Sequence, residues 1–380
     1  MTDTDPVSAR SRTRVLLLGA GQLAAEQAVA LQRLGAQVVV AEPADGPGVD
    51  EVVPLTDTDA LSAAISALRP DVVVAATETV AVEALRLAGQ SGAVQVVPSA
   101  RSVRLAGDRE ELRHLVAEEI GVPTVPFWFA GSPQELAEVT EEAGYPLVVS
   151  PLAAGKPGDG QSVLVRPDDI EPAWRRAIAA DGHSGRVLAE SVIQTDYEIT
   201  QLVVVTDEAD VQFCAPIGHR PTADGRGVEC WQPQPMSTIA LDAVRSVAGR
   251  IVRALGGRGL FAIDLAVRDD EVYFRDASVF PPEAGLVTLR TQRLSQFELA
   301  ARAVLGLPAD TVLISPGAAR LLYTDVAAVP AAALTEPETD LRVFGPGCPS
   351  GVALATAGDV DVALARAGQA AAAITGVTQP

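Results

Sequence analysis

Asp264 and Asp276 stand where a strand pattern calls for apolar residues. They belong to the stretch 259–285, GLFAIDLAVRDDEVYFRDASVFPPEAG, which reads as two strands, 261–267 and 272–276, around the polar turn Arg268-Asp269-Asp270-Glu271. A three-residue loop centred on Asp270 puts the two carboxylates directly opposite on one face, with Cβ atoms roughly 5 Å apart. A two-residue loop puts them on opposite faces. Facing carboxylates repel unless a proton or cation lies between them. Mg²⁺ carrying a nucleotide phosphate suits such a pair, because it binds through one or two carboxylates and completes its shell with phosphate oxygens and water. An ordinary hairpin with solvated acids fits the same pattern.

A second candidate lies near the start. The apolar run 14–18 is followed by Gly19-Ala20-Gly21-Gln22-Leu23-Ala24, then by a helix to about Leu34 and a strand over 37–41. This is a βαβ opening whose Gly-rich turn aims helix N–H groups at a ligand, with Ala24 at the variable third position of the dinucleotide fingerprint. A tight turn without a ligand has the same sequence. The alternation continues through a helix over 60–68 and a strand over 71–75, and Glu78 stands at the carboxyl end of that strand. Ligands of open parallel sheets bind there, although a first-turn Glu also simply favours a helix start.

Further along, the pattern changes. A charged helix over 108–119 is broken by Gly121-Val122-Pro123; Ser132 and Gly144 bracket the next helix as N-cap and C′ residue. Strands and hairpins then dominate from 147 to 217, a long helix covers 242–255, and Pro and Gly at 306–317 mark a boundary before a strand-rich end and a helix over 359–373. The fold class is α/β. The expected division is a leader at 1–13, a Rossmann-like domain at 14–115, a central domain at 116–314 and a small strand-rich domain at 315–380.

Composition narrows the function. The 380 residues carry a net charge of −20, which disfavours nucleic acid, and no apolar run is long enough for a membrane span. Cys214, Cys230 and Cys348 are too few and too scattered for a disulfide framework or zinc site, and fit a reducing cytoplasm. Lys156 is the single lysine of the chain.

The strings RVLLLGAGQL, GYPLVV, FCAPIGHR, WQPQPMS, RALGGRGLFAIDL and GVALATA, in this order, resemble the formate-dependent phosphoribosylglycinamide formyltransferases of the ATP-grasp superfamily, over nearly the whole chain. The resemblance implies a Rossmann-like N-terminal domain, an ATP-grasp domain and a small C-terminal domain. It implies a homodimer, and ATP and Mg²⁺ as cofactors. The reaction it implies phosphorylates formate and passes the formyl group to the amine of glycinamide ribonucleotide. By resemblance, Arg109 contacts ATP phosphate, Glu190, Ser191, Val192 and Ile193 form the adenine hinge, and Glu198 holds the ribose. Asp264 and Asp276 match the metal ligands. Gly21, Gln22, Leu23, Glu78 and Glu283 match positions around the second substrate.

Several basic positions depart from the family. Ser150 and Asp159 replace phosphate-binding lysines; Ser278-Val279-Phe280-Pro281-Pro282 lacks an arginine and a histidine; Pro346 and Cys348-Pro349 replace a basic pair that holds the substrate phosphate. Each loss removes a charge-assisted hydrogen bond of about 1.5–3 kcal/mol. These losses predict weak or degenerate activity unless Lys156, Arg220 or Arg226 substitutes. The alternatives are an inactive nucleotide-binding or regulatory homologue and a ligase for a different substrate.

Overall fold

The computed structural model describes residues 12–19, 21–42, 50–77, 79–152, 160–181, 185–207, 210–223, 225, 227–326, 328–345 and 349–376. The expected leader up to residue 11, Glu78, Lys156, Asp159, Arg226, Pro346 and Cys348 lie outside them. Two compact units result, one ending at Val97 and the other beginning at Pro98.

The first unit contains β1 (Arg14–Leu18), α1 (Gln22–Arg33), β2 (Gln37–Glu42), β3 (Glu51–Val52), α2 (Thr58–Leu68), β4 (Val72–Ala75), α3 (Val82–Gln90) and β5 (Gln95–Val97). Its sheet is parallel in the order β3-β2-β1-β4-β5. Leu16, Leu17, Leu18, Val73 and Val74 are almost wholly buried, as expected of strands covered on both faces.

The second unit opens with α4 (Ala100–Gly107) and α5 (Arg109–His114), which passes into a π-helical turn at Leu115–Glu119. The charged helix therefore covers its expected stretch, with π geometry over its last part, and both α4 and α5 belong to the second unit rather than to the first. The Ser102 hydroxyl donates to the Gly256 carbonyl at 2.6 Å, tying α4 to the end of the long helix described below. Four antiparallel strands follow: β6 (Phe127–Ala130), β7 (Leu147–Pro151), β8 (Ser162–Leu164) and β9 (Val187–Ser191), ordered β6-β9-β7-β8. They are covered by α6 (Pro133–Ala143) and α7 (Ile170–Asp181), whose Leu136, Val139, Ala173 and Ala177 share a core with Leu147, Val149 and Val187. Ser132 caps α6 by accepting from the Glu135 amide at 3.1 Å, and Gly144 ends it at positive φ, as its sequence requires.

The larger sheet is built from β10 (Tyr197–Asp207), β11 (Asp210–Phe213), β12 (Ile217–Pro221), β13 (Val228–Gln232), β14 (Gly259–Arg268) and β15 (Glu271–Ser278), with α8 (Thr238–Leu255) inserted before β14. After α9 (Thr288–Thr291) and α10 (Gln296–Leu305) come β16 (Gly317–Leu322), β17 (Thr339–Val343), β18 (Gly351–Thr356) and α11 (Val360–Thr375). Nine strands form one sheet, β15-β14-β10-β12-β13-β16-β18-β17, with β11 paired to β10. The strand-rich C-terminus thus continues the central sheet through the β13–β16 pairing rather than closing a sheet of its own. Its alanine-rich face packs on α11 through Trp231, Ala318, Ala355, Ala363 and Ala367. Among the described residues, no helix is long and apolar enough to cross a membrane.

Candidate active site

The hairpin β14–β15 turns through two residues, Asp269 and Asp270, because Arg268 pairs with Glu271. A regular register from that turn would set Asp264 and Asp276 on opposite faces. They are nevertheless directly paired. Leu265 opposes Phe274 and Asp264 opposes Asp276, so Arg275 is an extra residue, a β-bulge. The expected odd count between the two acids is supplied by this bulge and not by the loop.

Register then defines one sheet face. Thr200 pairs with Asp264, Glu198 with His219, and Glu198 lies two residues from Thr200. Tyr273 opposes Ala266, two residues from Asp264, so Arg275 lies on the same face as Asp276. The bulge therefore presents two consecutive side chains, Arg275 and Asp276, to the face carrying Glu198, Thr200, His219 and Asp264. The Thr200 hydroxyl donates to Asp264 Oδ1 at 2.6 Å. Burial pushes the Asp264 carboxyl above the ordinary range; His219 and the Thr200 hydrogen bond pull it back, and Asp276 and Glu198 add to the rise. Asp276 Oδ1 accepts from the Ala277 amide at 2.9 Å.

Arg109 approaches from the first turn of α5. Its Nη1 donates to the Pro151 carbonyl at 2.9 Å, and its Nε lies 3.1 Å from Asp276 Oδ2. The expected phosphate-binding arginine and an expected metal ligand are thus ion-paired with each other.

One helical turn later, Arg113 is buried. It forms an ion pair with Glu190 at 2.9 Å, donates to the Arg275 carbonyl, and lies over the rings of Phe127 and Phe274 at 5.7 and 5.6 Å. Burial pulls its guanidinium below the ordinary value, and the Glu190 carboxylate counters that. The Glu190 side chain is therefore committed to the protein interior. In the expected hinge, the Ser191 amide donates to Pro126 and the Val192 amide to Pro146. Among the described residues, the Ile193 amide has no protein acceptor. The hinge therefore presents the Ile193 backbone donor and the exposed Val192 side chain.

Glu283 lies on the loop after β15, where burial raises its carboxyl above the ordinary value and the Tyr323 hydroxyl, donating at 2.6 Å, partly offsets that. Gln296 fastens this loop through Nε2 to the Pro282 carbonyl at 2.9 Å, and a Cβ on Gly285 would come within 1.8 Å of Gln296 Oε1. A side chain at position 285 would have to displace the Gln296 amide.

Arg220, one of the expected substitutes for the missing lysines, points the other way. Its neighbour His219 faces the acids, so alternation puts Arg220 on the α11 side, where it pairs with Glu229 at 2.9 Å and lies over Trp231. Ser150 is fully buried, and its hydroxyl has no partner among the described residues. In the first unit, Gly21 precedes α1 at φ 89°, and the Gly19 Cα approaches the Thr77 side chain so closely that a Cβ would lie 3.2 Å from it. Gly21, Gln22 and Leu23 thus occupy the carboxyl end of β1, beside the end of β4.

Sequence reasoning missed Arg113, Thr200, His219, Arg275 and Tyr323. Arg275 left a signal. Two adjacent charged residues near the end of an apolar strand break its alternation, which a bulge does. Arg113 left none, since its partners come from distant strands.

A family model for the ATP-grasp domain matches residues 115–297. The formate-dependent phosphoribosylglycinamide formyltransferase of Burkholderia mallei (strain SAVP1) is 45% identical over 393 residues, covering 97% of this chain and 96% of that protein. The chain belongs to this formyltransferase family. The corresponding protein of Paraburkholderia xenovorans (strain LB400) matches over the same extent at 45% identity. A solved structure, glycinamide-RNase-transformylase T from Mycobacterium tuberculosis, is 44% identical and superposes with a TM-score of 0.83 over 95% of this chain and 99% of that one. N5-carboxyaminoimidazole ribonucleotide synthetase from Thermotoga maritima, 20% identical with a TM-score of 0.79 over 94% of this chain and 97% of that one, shares the fold. The formyltransferase architecture expected from the motifs is therefore present, with the ATP-grasp match covering β6 to β15 and the acid pair.

Proposed function

We propose that this protein uses ATP to phosphorylate formate and transfers the formyl group to the amine of glycinamide ribonucleotide. The observation that carries the reading is the pairing of Asp264 with Asp276 on one face of an ATP-grasp domain, with Arg109 against Asp276. ATP and Mg²⁺ are its cofactors. The donor set fits Mg²⁺. Among the described residues, no three metal-ligating side chains cluster, so two carboxylates leave positions for phosphate oxygens and water. Bound there, Mg²⁺ neutralises charge on the phosphate oxygens during transfer.

In this reading the Ile193 amide and the hinge backbone take adenine, and Glu198 takes the ribose. Arg109 and Asp276, paired in this structure, would hold a phosphate oxygen and the metal respectively. Glu283 accepts the proton released when the substrate amine attacks the formyl carbon and phosphate leaves, burial having raised its proton affinity. The Gly-rich turn and the N-terminus of α1 support a polar or phosphate-bearing ligand at Gly21, Gln22 and Leu23. Glu78 is assigned to the substrate by resemblance, and a three-part division is retained on the same ground, with its first boundary moved to Val97–Pro98.

We place the reaction in the cytoplasm, supported by the buried free thiols of Cys214 and Cys230. The family resemblance supports a homodimer, which sedimentation at micromolar concentration tests against the 39.3 kDa of one chain.

The decisive assay follows ADP release with formate and glycinamide ribonucleotide added separately and together. Turnover of about 1 s⁻¹ or faster that requires both supports the assignment. ATP hydrolysis indifferent to both substrates would falsify it.

A further inference from the structure

The phosphate-binding lysine expected at position 150 is absent, and the Arg220 offered in its place faces the wrong side of the sheet. The described residues nevertheless put three arginines around the acid pair. Arg109 is tied to the Pro151 carbonyl and Asp276, and Arg113 is buried against Glu190 and the Arg275 carbonyl. Arg275 differs from both. Its side chain is 32% exposed, and among the described residues its guanidinium has one charged partner, Glu198, at 4.0 Å. That distance is at the edge of an ion pair, and no hydrogen bond to its side chain accompanies it. A half-buried guanidinium with five N–H donors and no bound acceptor is poised for an anion.

Its position is built rather than incidental. A bulge aims Arg275 at the face carrying the acids, immediately beside Asp276. Strand β15 is the edge of its sheet, and the outward carbonyl of Arg275 is held by the buried Arg113. The Phe274 amide on the same edge donates to the Pro123 carbonyl at 2.8 Å. The bulge backbone is therefore clamped while the Arg275 side chain keeps its donors.

We propose that Arg275 binds the polyphosphate of the nucleotide, supplying from β15 the positive charge that Ser150 does not supply from β7. The proposal rests on the reading of this cleft as the ATP site. Between Glu198 at the ribose and Asp276 at the metal, a guanidinium reaches the inner phosphates. A guanidinium donates in pairs to phosphate oxygens, so lysine replaces it poorly.

The test is calorimetric binding of ATP with Mg²⁺, of ADP and of adenosine to the wild-type chain and to Arg275→Ala and Arg275→Lys. A charge-assisted bond lost from phosphate weakens ATP and ADP by about 10-fold or more in Arg275→Ala. Adenosine should stay within about twofold, and Arg275→Lys should recover only part of the loss. The ATP loss should also shrink as salt is raised, since charge attraction is screened. Equal weakening of ATP and adenosine assigns Arg275 to the base or ribose and overturns the proposal. Unchanged ATP binding overturns it as well. Absence of ATP binding in the wild-type chain overturns the reading of the cleft and the proposal with it. A wild type that binds ATP but transfers no formyl group defeats only the assigned reaction. Thermal unfolding of each variant within a few degrees of wild type confirms that the fold is intact.

Discussion

The Arg113 guanidinium and the Glu190 carboxylate meet at 2.9 Å with both side chains almost completely enclosed. The pair joins α5 to the hinge strand β9, and the Arg113 hydrogen bond to the Arg275 carbonyl joins both to the bulged strand β15. One side chain thus links the helix carrying Arg109, the strand expected to face adenine, and the turn of backbone that orients Asp276.

Removing one partner strands the other as a buried charge. Arg113→Met should cost about 3–5 kcal/mol of unfolding free energy. Arg113→Met combined with Glu190→Leu should regain most of it, because an apolar pair has no desolvation penalty. Urea unfolding of the two single variants and the double variant measures the coupling. A double variant no more stable than the worse single variant argues against a simple ion pair.

The acid pair makes a different prediction. Asp264→Asn relieves like-charge repulsion while keeping an acceptor for the Thr200 hydroxyl, so metal-free stability should hold or rise slightly. Metal-dependent nucleotide binding and turnover should drop by about 100-fold or more, the scale of losing electrostatic stabilisation in a transition state. Asp276→Asn should show the same loss and also release Arg109. Magnesium titrations monitored by calorimetry read both variants.

Stability should depend on pH through Asp264 and Glu283. Both have folded-state proton affinities raised chiefly by burial, so the folded protein binds more protons than the unfolded chain above roughly pH 4. The contribution of these groups therefore falls as pH rises from there through their elevated folded values, and stays low beyond them. Mg²⁺ with ATP would compete with protons for Asp264, so its stabilising effect should grow as pH rises from about 4. Melting temperatures of the wild type, Asp264→Asn and Glu283→Gln across this range should show flatter profiles in the variants.

Ser150 carries a buried hydroxyl with no partner among the described residues. Ser150→Ala should therefore be neutral or stabilising by about 1 kcal/mol, since an unmade hydrogen bond costs more than its absence. ATP affinity should be unchanged. A tenfold loss of ATP binding in Ser150→Ala would show that the hydroxyl reaches the nucleotide.

What the chain determined by itself was local or distributed as strings. Apolar runs specified β1, β2, β4 and the hairpin strands, Ser132 and Gly144 marked the ends of α6, and Asp264 and Asp276 stood out as acids in apolar strands. Motifs from RVLLLGAGQL to GVALATA carried the family, since each string is legible without knowing what it touches. Tertiary structure decided the rest. The turn chemistry of Asp269-Asp270 would have separated the two acids, and only the pairing of β15 with β14 shows that Arg275 is extruded and the register recovered. Whether Arg220 faces the acids or α11 depended on its strand partners, and whether the last strands stand alone depended on β16 finding β13. Arg113 could meet Glu190 only after a helix and a distant strand had packed. Dihedral preferences and apolar period are properties of neighbours along the chain, whereas strand register and buried ion pairs are set by residues brought together from far apart in sequence.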